Sequence, residues 1–196
     1  MERNTWMLDI DDGGLLDFIN PFLRWYNFKN RTLFKKEDIY TYDFWKPLGV
    51  SEQEIVDEVN LFNESKYFRD LPEFPRATQF LKRLRESSDY LAITSRPSHT
   101  EEATRFNLQR RFNSLAPETI FAKPYTPLLG GNGYKSKKDL CLDRRIRFAV
   151  EDSSKQANEL ASVGIVVYLL SQPWNANEVN LHDNVIRVNS LEEISI

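Results

Sequence analysis

The sequence contains few of the residues that build disulfides, zinc sites or serine hydrolase triads. Among its 196 residues it has one cysteine, Cys141, and two histidines, His99 and His182. A single cysteine excludes an internal disulfide and a cysteine-based zinc cluster. Two histidines far apart argue against a histidine-based zinc site and against a Ser-His-Asp triad.

Long hydrophobic runs and concentrated positive charge are also missing. No segment approaches the roughly 18 uninterrupted apolar residues of a membrane span, and the first residues form no apolar signal region. The net charge is −3, and the densest cationic group (Lys135, Lys137 and Lys138) is too small to hold a nucleic acid duplex. We therefore expect a cytoplasmic protein that binds neither a membrane nor a duplex. Its oligomeric state is left open, with a homodimer as one option.

Apolar residues are abundant enough for one sizeable core, at 41% of the chain, with 28% charged residues. Short apolar runs alternate with helical patterns, which predicts an α/β fold with a mainly parallel sheet and crossover helices. The predicted strands are 6–8, 90–93, 148–150 and 165–170, with an edge strand at 185–188. The predicted helices include 17–29, 74–84, 98–112 and 153–163, with capping boxes at Ser51–Glu54 and Ser98–Glu101.

The interval between the first two predicted strands is too long for a simple crossover. Asp9 and Thr94, at the two strand ends, lie 85 positions apart, whereas a βαβ unit needs about 30 residues. The surplus predicts an insertion with helical spacing. We expect a helical cap at 17–75 and an α/β core formed by 1–16 and 76–196.

Polar side chains follow three of the predicted strands. Asp9 and Asp11 follow the first, Thr94 and Ser95 the second, and Glu151 and Asp152 the strand at 148–150. The carboxyl ends of parallel strands meet at one sheet edge, where open α/β sheets bind ligands. Four carboxylates at one place repel each other without a cation, so a divalent metal is expected. Considered singly, each group has an alternative as a helix cap or a turn.

A phosphate is the natural ligand for such a metal. The hydroxyl and backbone N–H groups of Thr94 and Ser95 suit an anion, and one lysine of the 135–138 group would neutralise phosphate charge. Which of Lys135, Lys137 and Lys138 does so stays open at this point. The glycine-rich stretch at 130–136 is interpreted as a flexible loop that delivers this lysine.

Four segments together resemble the motifs of the haloacid dehalogenase (HAD) superfamily. Residues 8–12 (LDIDD) resemble its first motif, 92–97 (AITSRP) the second, Lys137 the third, and 150–153 (VEDS) the fourth. The late Pro-Trp-Asn at 173–175 is similar to the 5′(3′)-deoxyribonucleotidase-like, or nucleotidase, branch. This resemblance implies a HAD-like Rossmannoid three-layer α/β/α sandwich, with a small helical cap inserted after the first strand.

The resemblance also implies roles for individual residues. Asp9 is the expected nucleophile, forming an aspartyl-phosphate, and Asp11 the general acid and base. Mg²⁺ is expected on Asp9, the Asp11 carbonyl and Asp152, while Thr94 and Lys137 bind the phosphoryl oxygens. The implied activity is a Mg²⁺-dependent phosphomonoesterase acting on a nucleoside monophosphate. The alternatives are a HAD phosphatase for another small metabolite, such as a sugar phosphate, and a non-catalytic HAD-fold binding protein.

Substrate binding is expected from both sides of the site. Ser95 and Arg96 would lie beside the phosphate, and Phe44 and Trp45 of the cap would contact the leaving group. Phe44 and Trp45 precede Pro47 in a stretch without helical periodicity, which fits a pocket wall as well as packing beneath the cap. Two glycines, Gly13 and Gly14, depart from the HAD pattern, and Arg76 stands where relatives tend to have glycine.

Overall fold

The computed structural model describes residues 3–124, 128 and 135–196, so residues 130–134 of the predicted glycine-rich loop lie outside the described residues. The strands are β1 Asn4–Leu8, β2 Ser88–Thr94, β3 Glu118–Phe121, β4 Phe148–Glu151, β5 Val166–Leu170 and β6 Val185–Val188. The helices are α1 Ile19–Asn30, α2 Trp45–Leu48, α3 Glu52–Asn63, α4 Ala77–Ser87, α5 Glu101–Phe112, α6 Lys137–Asp143 and α7 Ser154–Ala161.

The six strands form one parallel sheet in the order β3-β2-β1-β4-β5-β6. The order reverses direction between β1 and β4, because β2 and β3 lie on one side of β1 and β4 to β6 on the other. Such a switch point opens a crevice at the carboxyl ends of the strands, where ligands bind in doubly wound sheets. Asp9 follows β1 and Asp152 follows β4, so the predicted site lies at the switch point.

Helices cover both faces of the sheet because side chains alternate along each strand. On one face, Trp6 of β1 packs with Phe80 of α4 and stacks on Phe148, with ring centroids 4.7 Å apart for the stacked pair. On the other, Met7 packs with Cys141 of α6 and with α7. The predicted three-layer α/β/α sandwich with a parallel sheet is therefore confirmed.

The cap is made by the chain between β1 and α4. Its entry and exit segments lie side by side, because Asp17 N–H donates to Pro72 O at 3.0 Å and Phe74 N–H to Leu15 O at 2.9 Å. Helices α1 and α3 pack through an aromatic cluster centred on Phe62, whose ring contacts Phe22 edge-to-face at 5.5 Å. Adjacent entry and exit segments are what an inserted cap requires. The division into a core (1–16 and 76–196) and a cap (17–75) stays a prediction.

Two local predictions at helix starts have different outcomes. The capping box at α3 is confirmed, since Ser51 Oγ accepts from Glu54 N–H at 3.2 Å and Glu54 Oε2 accepts from Ser51 N–H at 2.7 Å. The box at Ser98–Glu101 is wrong, because a 3₁₀ turn at Ser98–Thr100 precedes α5. That turn places Thr100, whose side chain bonds Pro97 O instead, at the N-terminus of α5.

The edge strand β3 was not predicted, whereas the opposite edge strand β6 was. Among the described residues, no helix is both long enough and apolar enough to cross a membrane.

Candidate active site

Three carboxylates meet at the switch point of the sheet. The register pairs Leu8 of β1 with Val150 of β4, and Asp9 N–H continues this pairing by donating to Val150 O at 3.1 Å. Asp9 therefore lies beside Glu151 and Asp152, and one ligand oxygen from each lies within 4.8 Å of the others. All three residues are buried.

One lysine lies among these carboxylates. Ser136 caps α6 and so fixes Lys137 as the first residue of that helix. Lys137 Nζ donates to Asp9 Oδ1 and, at 2.6 Å, to Glu151 Oε1. By contrast, Lys135 is exposed and pairs with a surface carboxylate. Of the alternatives left open by the sequence, Lys137 is thus the lysine that contacts Asp9.

The buried cluster is short of positive charge. Three ionised carboxylates and one lysine carry a net charge of −2. Burial raises the pKa of Asp9 and Asp152, and raises the pKa of Glu151 to about 7 against the opposing effect of Lys137. Burial lowers the pKa of Lys137, but the charges of Asp9 and Glu151 and their hydrogen bonds to Lys137 have the larger combined effect. The pKa of Lys137 is therefore raised above its usual value. A divalent cation would supply the missing charge.

The oxygen atoms of the cluster fit Mg²⁺. Asp152 Oδ2 accepts from Trp174 Nε1 at 3.0 Å, and Asn175 Nδ2 donates to the Asp152 carbonyl at 2.8 Å, so the carboxylate is held in place. Its other oxygen, Oδ1, is buried without a hydrogen-bond partner among the described residues, as is Glu151 Oε2. Burying an unpaired carboxylate oxygen is costly. Such oxygens are the hard ligands that Mg²⁺ prefers.

Asp11 is held by an arginine from the second predicted motif. Arg96 Nε donates to Asp11 Oδ2 at 2.7 Å, and Arg96 Nη2 donates to Asp11 Oδ1. The remaining Arg96 nitrogen, Nη1, donates to Thr104 Oγ1 at 2.8 Å, and the guanidinium lies 4.6 Å from the centre of the Phe68 ring. Arg96, predicted to bind substrate, therefore uses three of its five side-chain N–H donors on Asp11 and Thr104 while it also lines the pocket.

A pocket separates the sheet edge from the cap, and it collects every predicted site residue. The core contributes Asp9, Asp11, Thr94, Ser95, Arg96, Lys137 and Asp152, and the cap contributes Phe44 and Trp45. The cap also contributes residues that the sequence analysis did not select, namely Phe18, Glu52, Ile55, Val56, Val59, Asn63 and Phe68. For the five of these residues on α3, the only signal in the sequence was their helical spacing, which also fits ordinary helix packing. Phe18 and Phe68 lie outside that helix.

The aromatic residues before Pro47 combine both alternatives, since Phe44 and Trp45 line the pocket and also pack against the hydrophobic core. Phe44 and Trp45 line the pocket, and the Phe44 ring contacts Trp174, with centroids 6.1 Å apart. Trp174 in turn contacts Asp152, so it links the cap wall to the carboxylate cluster. Tyr40, in the same segment, is 61% exposed and does not line the pocket.

Asp12 lies in the turn after β1 and anchors the cap helix that follows. Asp12 Oδ2 accepts from Ile19 N–H at 3.0 Å, at the start of α1. Burial raises the pKa of Asp12 to about 8, against the effect of nearby Lys36.

The same turn explains the two glycines that depart from the HAD pattern. A Cβ on Gly13 would lie 2.7 Å from Asp9 Cβ, so only glycine leaves Asp9 in place. Gly14 has φ of 134°, a conformation that side chains disfavour.

Comparison with known proteins gives one relative by sequence and several by structure. No protein-family model matches the chain. It is 26% identical over 184 residues to a Bacillus subtilis protein named "Putative nucleotidase YqfW", covering 93% of this chain and 88% of that protein.

Two solved structures cover most of both chains. One is a hydrolase of the haloacid dehalogenase-like family from Streptococcus pneumoniae (TM-score 0.64, 13% identity, 97% of this chain and 96% of that one). The other is a HAD family hydrolase from Deinococcus radiodurans with bound phosphate and sodium (TM-score 0.58, 15% identity, 87% and 84%). At such identities the likeness concerns the fold, and the predicted HAD-like fold is confirmed.

Proposed function

We propose that this chain, which has the HAD-like fold, is a Mg²⁺-dependent phosphomonoesterase that hydrolyses a nucleoside monophosphate through an aspartyl-phosphate on Asp9. One observation carries the proposal: a buried cluster of three carboxylates and one lysine faces a pocket that also holds Asp11. A cluster with net negative charge would repel an anionic substrate unless a divalent cation bound with it.

The nucleophile is Asp9. Lys137 holds Asp9 Oδ1, which leaves the second carboxylate oxygen to attack phosphorus. The new Asp9–phosphorus bond forms as the bond to the leaving oxygen breaks, and Asp11 gives that oxygen a proton. Water then attacks the phosphorus of the aspartyl-phosphate and gives its proton to Asp11, and the Asp9 carboxylate is regenerated.

Other groups bind the phosphate and hold the reacting residues. Thr94 and Ser95 line the pocket beside Asp9 and offer hydroxyl groups to the phosphoryl oxygens. The guanidinium of Arg96 fixes the plane of the Asp11 carboxylate through both oxygens. Mg²⁺, held by Asp9, Asp152 and the Asp11 carbonyl, would offset the repulsion between the phosphate and the carboxylates.

The choice of a nucleotide as substrate is supported by the cap and by the relative. Phe44 and Trp45 offer flat apolar surfaces to a base in the pocket. The Bacillus subtilis relative carries a nucleotidase name. Another small phosphate metabolite would use the same core residues and differ only in its contacts to the cap.

The test is phosphate release from a panel of ribo- and deoxyribonucleoside monophosphates and sugar phosphates, with Mg²⁺ or with EDTA. Halide release from a 2-haloacid is measured in parallel. Asp9→Asn should abolish release, whereas Asp17→Asn makes the same chemical change in a residue that does not line the pocket and should retain it. Release from nucleotides that needs Mg²⁺ and Asp9 is the expected result. Equal rates in Asp9→Asn, or no release from any phosphate, would refute the proposal.

A further inference from the structure

We propose that Asn63 is the residue that recognises the nucleobase, by hydrogen bonds from its side-chain amide to the polar edge of the base. This inference rests on the proposed function, because it assigns a role in the same pocket. It adds a specificity determinant that neither the sequence motifs nor the named relatives provide.

One face of α3 forms the roof of the pocket. Its pocket-lining residues are Glu52, Ile55, Val56, Val59 and Asn63, which follow the spacing of a single helix face. Glu52 and Asn63 lie about 16 Å apart along the helix axis, at 1.5 Å per residue. The roof is therefore aliphatic in the middle and polar at its two ends.

The Asn63 side chain is largely buried and has no hydrogen-bond partner among the described residues, and besides this pocket it borders a smaller one beside α5. The residue is only 8% exposed, and within the described part of the chain its amide makes no hydrogen bond. By comparison, Asn107 donates to Phe68 O at 3.2 Å, and its amide oxygen is fully buried. The Asn63 amide atoms are not fully buried, so they reach the open space that the residue lines and can bond a ligand there.

The pocket surfaces near Asn63 favour a flat apolar group over a sugar. Phe18, Val56, Val59 and Phe68 line the pocket between the carboxylate cluster and the cap. A sugar placed along these side chains would leave several hydroxyls unpaired, at about 1–3 kcal/mol each. A base has apolar faces and carries its polar atoms only at its edge, so it matches a roof that is aliphatic in the middle and carries the Asn63 amide at one end.

The chemistry of the amide also matches a base. Asn offers two donor hydrogens and one acceptor oxygen. Each nucleobase presents a donor and an acceptor side by side on its edge, and Asn pairs with such edges through two hydrogen bonds. The Asn63 amide can flip and so exchange its donor and acceptor positions. Asn63 should therefore discriminate nucleotides from base-free phosphates more strongly than it discriminates one base from another.

The first experiment compares Asn63→Leu with the matched variant Asn60→Leu. Asn60 lies one turn earlier on α3 and does not line the pocket. With the best nucleotide, Asn63→Leu should lower kcat/KM about 10- to 100-fold, the range expected for losing hydrogen bonds to a buried group. With phenyl phosphate, which has a flat ring but no hydrogen-bonding edge, kcat/KM should stay within about twofold. Equal losses on both substrates, or no loss on the nucleotide, would overturn the inference.

A second experiment measures binding without turnover. Calorimetry of free nucleosides should show binding to the wild-type protein, weaker binding to Asn63→Leu, and a shift toward guanosine in Asn63→Asp, since a carboxylate only accepts and guanine offers two adjacent donors. Nucleosides that bind all three proteins equally, or that do not bind the wild type, would overturn the inference. If nucleosides bind through Asn63 but no phosphate is released, the proposed function fails and the role of Asn63 stands.

Discussion

Gly13→Ala should inactivate the protein because of where the new methyl group would lie. A Cβ on Gly13 would be 2.7 Å from Asp9 Cβ and 2.8 Å from Asp9 Oδ2, whereas carbon atoms pack at about 3.5–4.0 Å. Relief of the overlap requires a movement of about 1 Å. Asp9 is the group in contact, so the displacement falls on the nucleophile. A misplacement of this size costs about 100-fold in rate.

Gly14→Ala is the matched control. At Gly14 the nearest atoms to a new Cβ are Val150 Cγ1 at 3.5 Å and Leu191 Cδ2 at 3.6 Å, which are ordinary contacts. Its cost comes from φ of 134°, about 1–3 kcal/mol of stability, or a fall in Tm of about 2–4 °C per kcal/mol for a chain of this size.

The assay is kcat for Mg²⁺-dependent phosphate release, with Tm measured on the same samples. We expect Gly13→Ala to lose about 100-fold in kcat, and Gly14→Ala to lose stability but keep kcat within a few-fold. Wild-type kcat in Gly13→Ala, or an equally inactive but folded Gly14→Ala, would refute the reasoning about Asp9.

Three further changes test other parts of the site. Trp174→Phe removes the indole N–H that binds Asp152 Oδ2, so the Mg²⁺ concentration for half-maximal activity should rise about 10- to 100-fold; an unchanged value would contradict this role. Arg96→Lys replaces a bidentate contact to Asp11 with a single point charge. We expect kcat to fall by a larger factor than KM changes, and an unaltered kcat would contradict the role of Arg96 in positioning Asp11. Burial raises the pKa of Asp12 to about 8, so the folded state takes up a proton that the unfolded state lacks between about pH 4 and 8. The free energy of unfolding in EDTA should therefore fall with rising pH, and less steeply in Asp12→Asn; an equal slope would refute the assignment.

The sequence predicts the centre of the site well because its residues follow buried strands directly. Asp9, Thr94 and Asp152 each lie at or just after the end of an apolar run, and the carboxyl ends of parallel strands must meet at one sheet edge. The local pattern is enough to place these groups together.

Features that depend on tertiary contacts could not be predicted in this way. The choice of Lys137 over Lys135 depends on Ser136 capping α6, which sets the direction of the lysine side chain. Strand β3 contains only two apolar residues, Ile120 and Phe121, whereas the equally short β4 and β6 contain three each, so its pattern is too weak to identify. The close approach of Gly13 to Asp9 is visible only in three dimensions.

The most direct test of the central claim is to trap the phosphorylated enzyme. The protein is mixed with Mg²⁺ and a nucleotide whose phosphate is labelled, quenched in acid within milliseconds, and mapped by peptide mass spectrometry. We expect a labelled, hydroxylamine-sensitive acyl phosphate on Asp9 that is absent in EDTA and in Asp9→Asn. Phosphate release at full rate with no label on Asp9, or with label on another residue, would contradict it.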